Sequence, residues 1–233
     1  MNGVPLVYYT LAAIREYLAA HGEDRVTIAL NTDSPELTTF VQSQTLVPDI
    51  RYTERKTALA GDQAPKVAVI QDTFLTLSEE MEFDVVVDLD ITSPLRRRCD
   101  LEHILETYCK MPDCDLVFSV VPARRNPYFN MVEKKPNGYY KKICDANFTA
   151  RQQAPRIYEM NASIYAYRPS FLASTIDKSI IDYRCGIVEM PDYLVLDIDS
   201  EEDFKMMQYL HRYYCGLDAE LRQVFETAKK ARA

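Results

Sequence analysis

The stretch Phe83-Asp84-Val85-Val86-Val87-Asp88-Leu89-Asp90 predicts a buried β-strand. Its centre is a run of β-branched valines, which favour extended backbone. Because the apolar run is continuous rather than alternating, it indicates burial on both faces, as in parallel sheets that helices cover. Hydroxyl residues and a proline follow in Ile91-Thr92-Ser93-Pro94-Leu95-Arg96, and they predict the loop that leaves the strand.

Helical and strand patterns alternate along the chain on both sides of this stretch. They predict helices over residues 5–20, 34–44, 65–80, 100–110, 200–214 and 218–230, and further strands over 25–30, 115–121, 182–190 and 193–199. The alternation predicts an α/β fold, a mostly parallel sheet covered by helices, in one domain of residues 1–233. Residues from about 123 to 168 are richer in Tyr, Asn and Pro, with a turn at Pro136-Asn137-Gly138, and predict an inserted antiparallel lobe.

The composition is that of an ordinary globular protein of 233 residues with a net charge of −8. This acidic balance argues against a general nucleic-acid-binding protein, which needs a concentrated basic surface. The six cysteines form no Cys-x-x-Cys pair and only three histidines accompany them, which argues against structural zinc. No apolar run is long enough to cross a membrane, and the first residues lack the pattern of a signal peptide. We therefore expect a reduced, cytoplasmic protein without a membrane partner.

Two carboxylates stand two positions apart in Val195-Leu196-Asp197-Ile198-Asp199, which we predict to be a strand. Side chains alternate along a strand, so Asp197 and Asp199 project to one face. Such a pair suits Mg²⁺, which takes one or two carboxylates and completes its shell with water and substrate phosphates. An alternative is that these acids cap the helix that begins at Ser200, where Asp203 completes a capping-box-like start.

Three other segments are candidates to join this pair at the carboxyl ends of the strands, where ligands bind in α/β sheets. They are residues 88–98, where acids and hydroxyls lead to three arginines, residues 55–62, a basic loop with a glycine, and residues 151–165, where a cation precedes several hydrogen-bonding groups. Each segment also has a non-functional explanation. These are solvated loop arginines, ordinary loop polarity and the exposed face of a strand, respectively.

In this order and spacing, the four segments resemble the CMP-sialic acid synthetase (acylneuraminate cytidylyltransferase) family over nearly the whole chain. The resemblance implies a Rossmann-like α/β domain, a homodimer built through the inserted lobe, and transfer of CMP from CTP to an acidic nine-carbon sugar with release of pyrophosphate. It gives Asp197 and Asp199 the role of catalytic Mg²⁺ ligands. The other site residues that it implies are Arg55, Asp62 and Lys66 on the nucleotide side, and Asp90, Thr92, Ser93, Arg151, Asn161 and Tyr165 on the sugar side.

The chain departs from the family's pattern at its start and at two substrate positions. Full-length members carry, before the equivalent of Gly3-Val4-Pro5-Leu6, a strand and an Arg-Gly-Gly-Ser-Lys loop that wraps the CTP phosphates. Without a counterpart of this segment, we expect weak or no activity and an uncovered edge in the sheet. Asp90 stands where better-known members have Gln, and Phe129 where some have Lys. The preferred sugar is therefore expected to differ from common sialic acid, with legionaminic-type sugars as candidates.

Two other functions are compatible with the sequence. A sugar-nucleotide-dependent glycosyltransferase would use Asp88 and Asp90 as its metal site on a similar sheet. A non-catalytic binding remnant would keep the sugar contacts and lack CTP chemistry. Release of pyrophosphate from CTP separates a cytidylyltransferase from the glycosyltransferase, and Mg²⁺-dependent CTP binding separates it from the remnant.

Overall fold

The computed structural model describes residues 1–22, 24–47, 49–61, 64–148 and 150–231. Its α-helices are α1 (Leu6–Ala20), α2 (Pro35–Gln42), α3 (Lys66–Ser78), α4 (Arg98–Lys110), α5 (Pro169–Leu172), α6 (Glu201–Leu217) and α7 (Ala219–Lys229). Its strands are β1 (Ile28–Thr32), β2 (Ile50–Glu54), β3 (Val86–Leu89), β4 (Leu116–Pro122), β5 (Val132–Lys134), β6 (Tyr140–Lys142), β7 (Tyr158–Tyr167) and β8 (Cys185–Glu189). Each predicted helix has its counterpart, as has each predicted strand except residues 193–199.

Side-chain caps explain where three of the helices begin. At the start of α2, the hydroxyl of Ser34 accepts a hydrogen bond from the backbone N–H of Leu37 (3.1 Å). At α6, Ser200 Oγ accepts in the same way from the N–H of Asp203 (3.2 Å). The carboxylate of Asp218 accepts two backbone hydrogen bonds at the start of α7, of 2.9 and 3.1 Å. Each cap satisfies backbone donors that the first turn of a helix leaves unpaired.

The main sheet has four strands in the order β3-β7-β4-β8. Strand β7 runs antiparallel to both β3 and β4, whereas β8 is parallel to β4. Strands β3, β4 and β8 therefore share one direction, and their carboxyl ends lie at the same edge as the amino end of β7. Strands β1 and β2 form a separate parallel pair. The predicted α/β class is confirmed, with β7 as the reversed strand of the main sheet.

Apolar side chains cover both faces of the main sheet. Val117 and Val121 of β4 belong to one hydrophobic cluster, with residues of α1, α4 and α7. Leu116 and Phe118 of the same strand belong to a second cluster, with residues of α3 and α5. Successive side chains of a strand point to opposite faces, so one continuous apolar run serves both helical layers. Among the described helices, none is long and apolar enough to span a membrane.

Within the segment predicted to be an inserted lobe, the structure has a hairpin. Strands β5 and β6 pair around the predicted turn, where the N–H of Gly138 donates to the carbonyl of Lys135 (2.9 Å) and Gly138 has a φ of 85°. The last part of the predicted lobe lies elsewhere, because residues 158–167 form β7 inside the main sheet. Burial explains this difference, since Ile164 and Ala166 are fully buried in the main hydrophobic cluster.

Residues 193–199 do not form the predicted strand. A 3-10 turn covers Asp192–Leu194, and the chain then continues without strand pairing to α6. The segment is held by the N–H of Ile198, which donates to the carbonyl of Thr92 (3.0 Å). Leu196 and Ile198 still pack against the core. The alternation of apolar and acidic residues over 195–199 therefore indicates which side chains face inward, and it does not show that the segment pairs with another strand.

Candidate functional site

Charged side chains meet at the carboxyl end of β3. Lys66, the first residue of α3, places its Nζ 2.7 Å from Oδ2 of Asp88 and 2.8 Å from Oδ2 of Asp90. The two aspartates are two positions apart, so both project to the face on which α3 begins. Tyr165 pairs with Asp88 across β3 and β7, and its ring centroid lies 4.9 Å from Nζ of Lys66. We call Lys66, Asp88, Asp90 and Tyr165 the lysine cluster.

Burial and charge pairing set the protonation of the lysine cluster. Burial opposes the charged form of Lys66, but Asp88 and Asp90 outweigh it and raise the pKa of the ammonium. Burial raises the pKa of Asp88, and the nearby Lys66 offsets this only in part. For Asp90, burial is outweighed by Lys66 and by hydrogen bonds from Thr92, so its pKa is lowered. Oδ2 of Asp88 is buried and, although close to the ammonium, accepts no hydrogen bond of good geometry.

Asp90 is fully engaged by its own loop and by Lys66. Its Oδ1 accepts hydrogen bonds from the N–H (3.1 Å) and the hydroxyl (2.9 Å) of Thr92, while Oδ2 accepts from Lys66. This pairing offsets part of the negative charge that an anionic ligand would meet at this position. The Lys66 side chain is more exposed than either carboxylate, so the ammonium is the charged group that a ligand meets first.

Ser93 and Asn161 lie behind the site. Both side chains are buried, and the hydroxyl of Ser93 donates to the carbonyl of Asn161 (3.1 Å). The side-chain amide of Asn161 accepts from Ser119 (2.6 Å) and donates to the carbonyl of Leu194 (3.1 Å). The predicted contacts of Ser93 and Asn161 with a sugar do not fit this arrangement, because both side chains are buried and already hydrogen-bonded inside the protein.

Of the three arginines that follow the loop, Arg96 is neither solvated nor open to a ligand. Arg96 is fully buried and donates to oxygens of the loop and of β7. Arg97 pairs with Asp100 (2.6 Å), and Arg98 with Glu102 (3.3 Å). The sequence left two explanations for Arg96: a residue of a basic ligand-binding loop, or one of a run of solvated arginines. Both are wrong for Arg96.

Asp197 and Asp199 stand on the irregular segment that precedes α6. Asp197 is half-buried, and burial raises its pKa, with Asp199, Asp90 and Asp203 adding to the effect. Asp199 is exposed. The capping role proposed as an alternative belongs to Ser200, whose hydroxyl donates to Oδ2 of Asp203 (2.7 Å) and accepts from its N–H. The N–H of Ile198 donates to the carbonyl of Thr92 (3.0 Å), so this segment lies beside the loop that carries Asp90.

The acids at this edge suit a hard divalent cation. In the part of the chain that the structure describes, no group of three or more His, Cys, Asp or Glu side chains is arranged to hold a metal ion. An ion at Asp197 and Asp199 would therefore take most of its ligands from water and phosphate, as Mg²⁺ does. The acidic neighbours that contribute to the raised pKa of Asp197 repel one another, and a cation would relieve that repulsion.

Arg55 lies at the carboxyl ends of β1 and β2. Its guanidinium donates to the side-chain oxygen (3.1 Å) and the carbonyl (3.0 Å) of Asn31, and lies 3.8 Å from Asp33. Asn31 in turn donates to Thr73 of α3 (2.9 Å), so α3 connects this group to Lys66 at its first residue. Within the described residues, no hydrogen bond or ion pair joins Arg55 directly to the lysine cluster.

Two predicted site residues fall beyond what the structure describes. Asp62 lies outside the described residues. The backbone of Arg151 begins a 3-10 turn (Arg151–Gln153), but its side chain is outside the described part of the chain. The ligand contacts of both residues stay predictions, as do those of Arg55, Lys66, Thr92 and Tyr165.

The structure adds three residues that the family resemblance did not give, namely Asp88, Arg96 and Ser119. Asp88 had a signal in the sequence, because it precedes Asp90 by two positions on one strand. From the sequence, Asp88 was assigned only to the metal site of the alternative glycosyltransferase. In the structure, the ammonium of Lys66 lies between Asp88 and Asp90 at that place. Arg96 had a signal only as one of the three arginines in the candidate segment 88–98, and Ser119 had none. Neither structural role was visible from the sequence, because their partners on β7 lie 67 and 42 residues away along the chain.

A cleft of about 550 Å³ adjoins this edge. It lies between the end of β4, the segment before α6 and α6 itself, and its lining includes Arg124, Arg125, Glu159, Tyr193, Leu196 and Tyr214. The lining includes Leu196, which directly precedes Asp197 in the sequence, but neither Asp197 nor Asp199 lines the cleft.

Two curated relatives match the chain over most of its length. It is 36% identical over 185 residues to the CMP-N,N'-diacetyllegionaminic acid synthase of Campylobacter jejuni subsp. jejuni serotype O:2, with 78% of this chain and 76% of the relative covered. It is 38% identical over 161 residues to the post-translational flagellin modification protein B of Campylobacter coli, with 68% of this chain and 67% of the relative covered. No protein-family model matches the chain.

Solved structures share the fold at low sequence identity. The CMP:2-keto-3-deoxy-manno-octonic acid synthetase complexed with CTP has a TM-score of 0.58 and 14% identity, with 87% of this chain and 88% of the other covered. The 2-C-methyl-D-erythritol 4-phosphate cytidylyltransferase from Thermus thermophilus has a TM-score of 0.54 and 14% identity, with 89% of each chain covered. At these identities the likeness shows the fold alone, and it confirms the Rossmann-like α/β prediction.

Proposed function

Because the chain belongs to the CMP-sialic acid synthetase (acylneuraminate cytidylyltransferase) family, we propose that it transfers CMP from CTP to an acidic nine-carbon sugar and releases pyrophosphate. One observation carries the proposal: two acid-bearing segments, residues 88–92 and 197–199, meet at the carboxyl edge of the sheet. The N–H of Ile198 donates to the carbonyl of Thr92 (3.0 Å), which joins the two segments. This edge is where α/β folds bind nucleotides.

The sugar in this proposal is of the legionaminic type. The Campylobacter jejuni relative is named for the synthesis of CMP-N,N'-diacetyllegionaminic acid. The aspartate at position 90 also supports a sugar other than common sialic acid, because better-known members of the family have Gln there. With Asp90 paired to Lys66, this position presents a lysine beside an anionic sugar.

The charges at the site define what each residue does in such a transfer. Attack of a sugar hydroxyl on the α-phosphorus of CTP develops negative charge on the phosphoryl oxygens and on the departing pyrophosphate. Asp197 and Asp199 would hold Mg²⁺, which would supply positive charge to stabilise these oxygens. Lys66 is kept protonated by its two carboxylates and binds an anionic oxygen of a ligand. Arg55, at the ends of β1 and β2, contacts the base.

A homodimer through the β5–β6 hairpin is the second part of the proposal. Tyr139 and Tyr140 are 76% and 67% exposed, and Val132 is 59% exposed. Large apolar side chains gathered on one small hairpin are a common sign of a protein interface. We assign the partner as a second copy of the chain, as the family resemblance implies.

A pyrophosphate-release assay tests the proposal. The protein is incubated with CTP, Mg²⁺ and one of three sugars: N,N'-diacetyllegionaminic acid, N-acetylneuraminic acid or 2-keto-3-deoxy-manno-octonic acid. We expect the fastest release with the first sugar, and a loss of roughly 100-fold or more in Asp197→Asn. Lys110→Met, which breaks an exposed pair with Glu106, is the control that keeps activity. Fastest release with the eight-carbon sugar would overturn the sugar class, and no release with any of the three would overturn the function.

A further inference from the structure

A buried polar network lies directly behind the two acid-bearing segments. It consists of Arg96, Ser119 and Asn161, which are 0%, 2% and 1% exposed. We call these three residues the polar brace. Because none of them reaches the surface, they act on a ligand only through the segments that they hold.

The polar brace supports a bulge in β7. The pairing of β4 with β7 shifts on either side of Ser119, so residues 161–164 of β7 lie opposite this one residue. Within the bulge, Ala162 has a φ of 50°, a left-handed conformation that disfavours residues other than glycine. Such a conformation persists only where the surroundings fix it, and bulges of this kind re-aim chain segments next to sites.

On one side, the polar brace holds the segment that leads to Asp197. The hydroxyl of Ser119 donates to Oδ1 of Asn161 (2.6 Å) and accepts from the N–H of Ile164 (3.0 Å). With its amide oriented in this way, Asn161 donates from Nδ2 to the carbonyl of Leu194 (3.1 Å). That carbonyl ends the 3-10 turn from which the chain continues to Asp197.

On the other side, Arg96 holds the loop that carries Asp90 and Thr92. Its Nη2 donates to the carbonyls of Ser93 (2.8 Å) and Ser163 (3.1 Å), and also to that of Asp90. Its other hydrogen bonds go to hydroxyl oxygens of α1 and β7, at 3.1 and 3.3 Å. Burial lowers the pKa of Arg96 to about 10, so the guanidinium stays protonated at neutral pH.

We infer that Arg96 and Asn161 are positioning residues that set the separation between the acids of the lysine cluster and Asp197 and Asp199. One guanidinium fixes the first segment to the bulge, and one amide fixes the second segment to the same bulge. The inference rests on the proposed function for its catalytic consequence, since the separation matters when both segments act on one metal–nucleotide complex. A displacement of about 1 Å in such an arrangement lowers turnover on the order of 100-fold.

Two substitutions and a control test this inference. Asn161→Ala removes the amide that holds Leu194. Arg96→Lys keeps the charge, but a lysine cannot reproduce the planar fork of donors. Leu172→Ala is the control, because Leu172 is fully buried in the second hydrophobic cluster and its truncation destabilises the protein without touching the polar brace. Circular dichroism selects a temperature at which all variants are folded.

Two readouts separate positioning from general destabilisation. Hydrogen–deuterium exchange in the free protein reports directly on the two held segments, residues 90–93 for Arg96 and residues 195–199 for Asn161. The Mg²⁺ concentration that gives half-maximal pyrophosphate release reports on the geometry of the acids. We expect each substitution to speed exchange about tenfold in the segment that its residue holds and to raise the Mg²⁺ concentration by about 10- to 100-fold, with Leu172→Ala changing neither.

The outcomes distinguish the inference from the function on which it rests. Unchanged exchange and unchanged Mg²⁺ dependence in both variants, or equal changes in Leu172→Ala, would overturn the positioning role. If the wild-type protein releases no pyrophosphate, the proposed function fails while the exchange measurement still decides the positioning role. If Asn161→Ala or Arg96→Lys does not fold, Ser119→Ala is used in its place. This substitution removes only the hydroxyl that orients Asn161, and we expect the same faster exchange of residues 195–199 and the same raised Mg²⁺ requirement.

Discussion

Replacing Lys66 with Met would leave Asp88 and Asp90 facing each other without a cation. Their Oδ2 atoms both lie within 2.8 Å of Nζ, so they are at most about 5.6 Å apart, and two unit charges at that separation repel by roughly 3 kcal/mol at an effective dielectric constant of about 20. The Lys66 side chain is 45% exposed, so water screens part of this repulsion. We therefore expect Lys66→Met to lose roughly 1–2 kcal/mol of unfolding free energy at neutral pH.

The carboxylate pKa values give the pH dependence of this loss. Burial already raises the pKa of Asp88, and without Lys66 it rises further while the pKa of Asp90 is no longer lowered. A carboxyl group whose pKa is higher in the folded than in the unfolded protein costs stability as the pH rises above its unfolded value, about 4. The loss in Lys66→Met should therefore be small at pH 4 and should reach its full value near pH 7.

Thermal unfolding followed by circular dichroism between pH 4 and pH 8 measures the effect. At about 2–4 °C per kcal/mol for a protein of this size, the Tm difference from wild type should widen by about 2–8 °C between pH 4 and pH 7. Lys110→Met removes a lysine from an exposed pair and should shift Tm by no more than about 1–2 °C at any pH. An equal loss at pH 4 and pH 7, or none at pH 7, would refute the role of Lys66 as the cation that offsets the charges of both carboxylates.

Three other perturbations probe the acids, the bulge and the hairpin. Asp197→Asn should raise Tm at pH 7 without Mg²⁺, because it removes a carboxylate whose pKa is raised. The same substitution should reduce the Tm gain that Mg²⁺ gives to the wild type. An undiminished gain would contradict the assignment of Asp197 as a metal ligand. Ala162→Gly should lose about 1 kcal/mol less unfolding free energy in chemical denaturation than Ala166→Gly on the same strand, because only Ala162 of the two has a positive φ. Equal losses of unfolding free energy would contradict this expectation. A double substitution of Tyr139 and Tyr140 by Ser should yield monomers in sedimentation experiments at concentrations where the wild type is dimeric, and an intact dimer would exclude the hairpin as the interface.

The fold was largely predictable because its signals are local. Ser34 and Ser200 mark helix starts, and each forms the cap that its position predicts. The valine run before Asp90 predicts a buried strand and gives β3, which is only half-buried and is the first strand in the order of the main sheet. The alternation around Ile198 predicted a strand that does not form, because a period of two reports which side chains face inward and not whether a pairing partner exists. In the structure the N–H of Ile198 bonds to the loop at Thr92 instead.

The site was only partly predictable because several of its polar residues have distant partners. Asn161 reads as a polar residue on an exposed strand face, yet it is buried and hydrogen-bonded to Ser119 and Leu194. Arg96 reads as a solvated or ligand-binding arginine, yet its acceptors come from α1 and β7. A buried polar group is tolerated only with such partners, and no short stretch of sequence shows where they come from.

Phosphorus NMR of the reaction with CTP, Mg²⁺ and N,N'-diacetyllegionaminic acid tests the proposed cytidylyl transfer most directly. We predict that the three resonances of CTP disappear as pyrophosphate and a single phosphodiester appear in equimolar amounts, and that Asp197→Asn slows this conversion roughly 100-fold or more. CTP that stays intact with every acidic nine-carbon sugar, or that is cleaved to CDP and phosphate, would contradict the proposal.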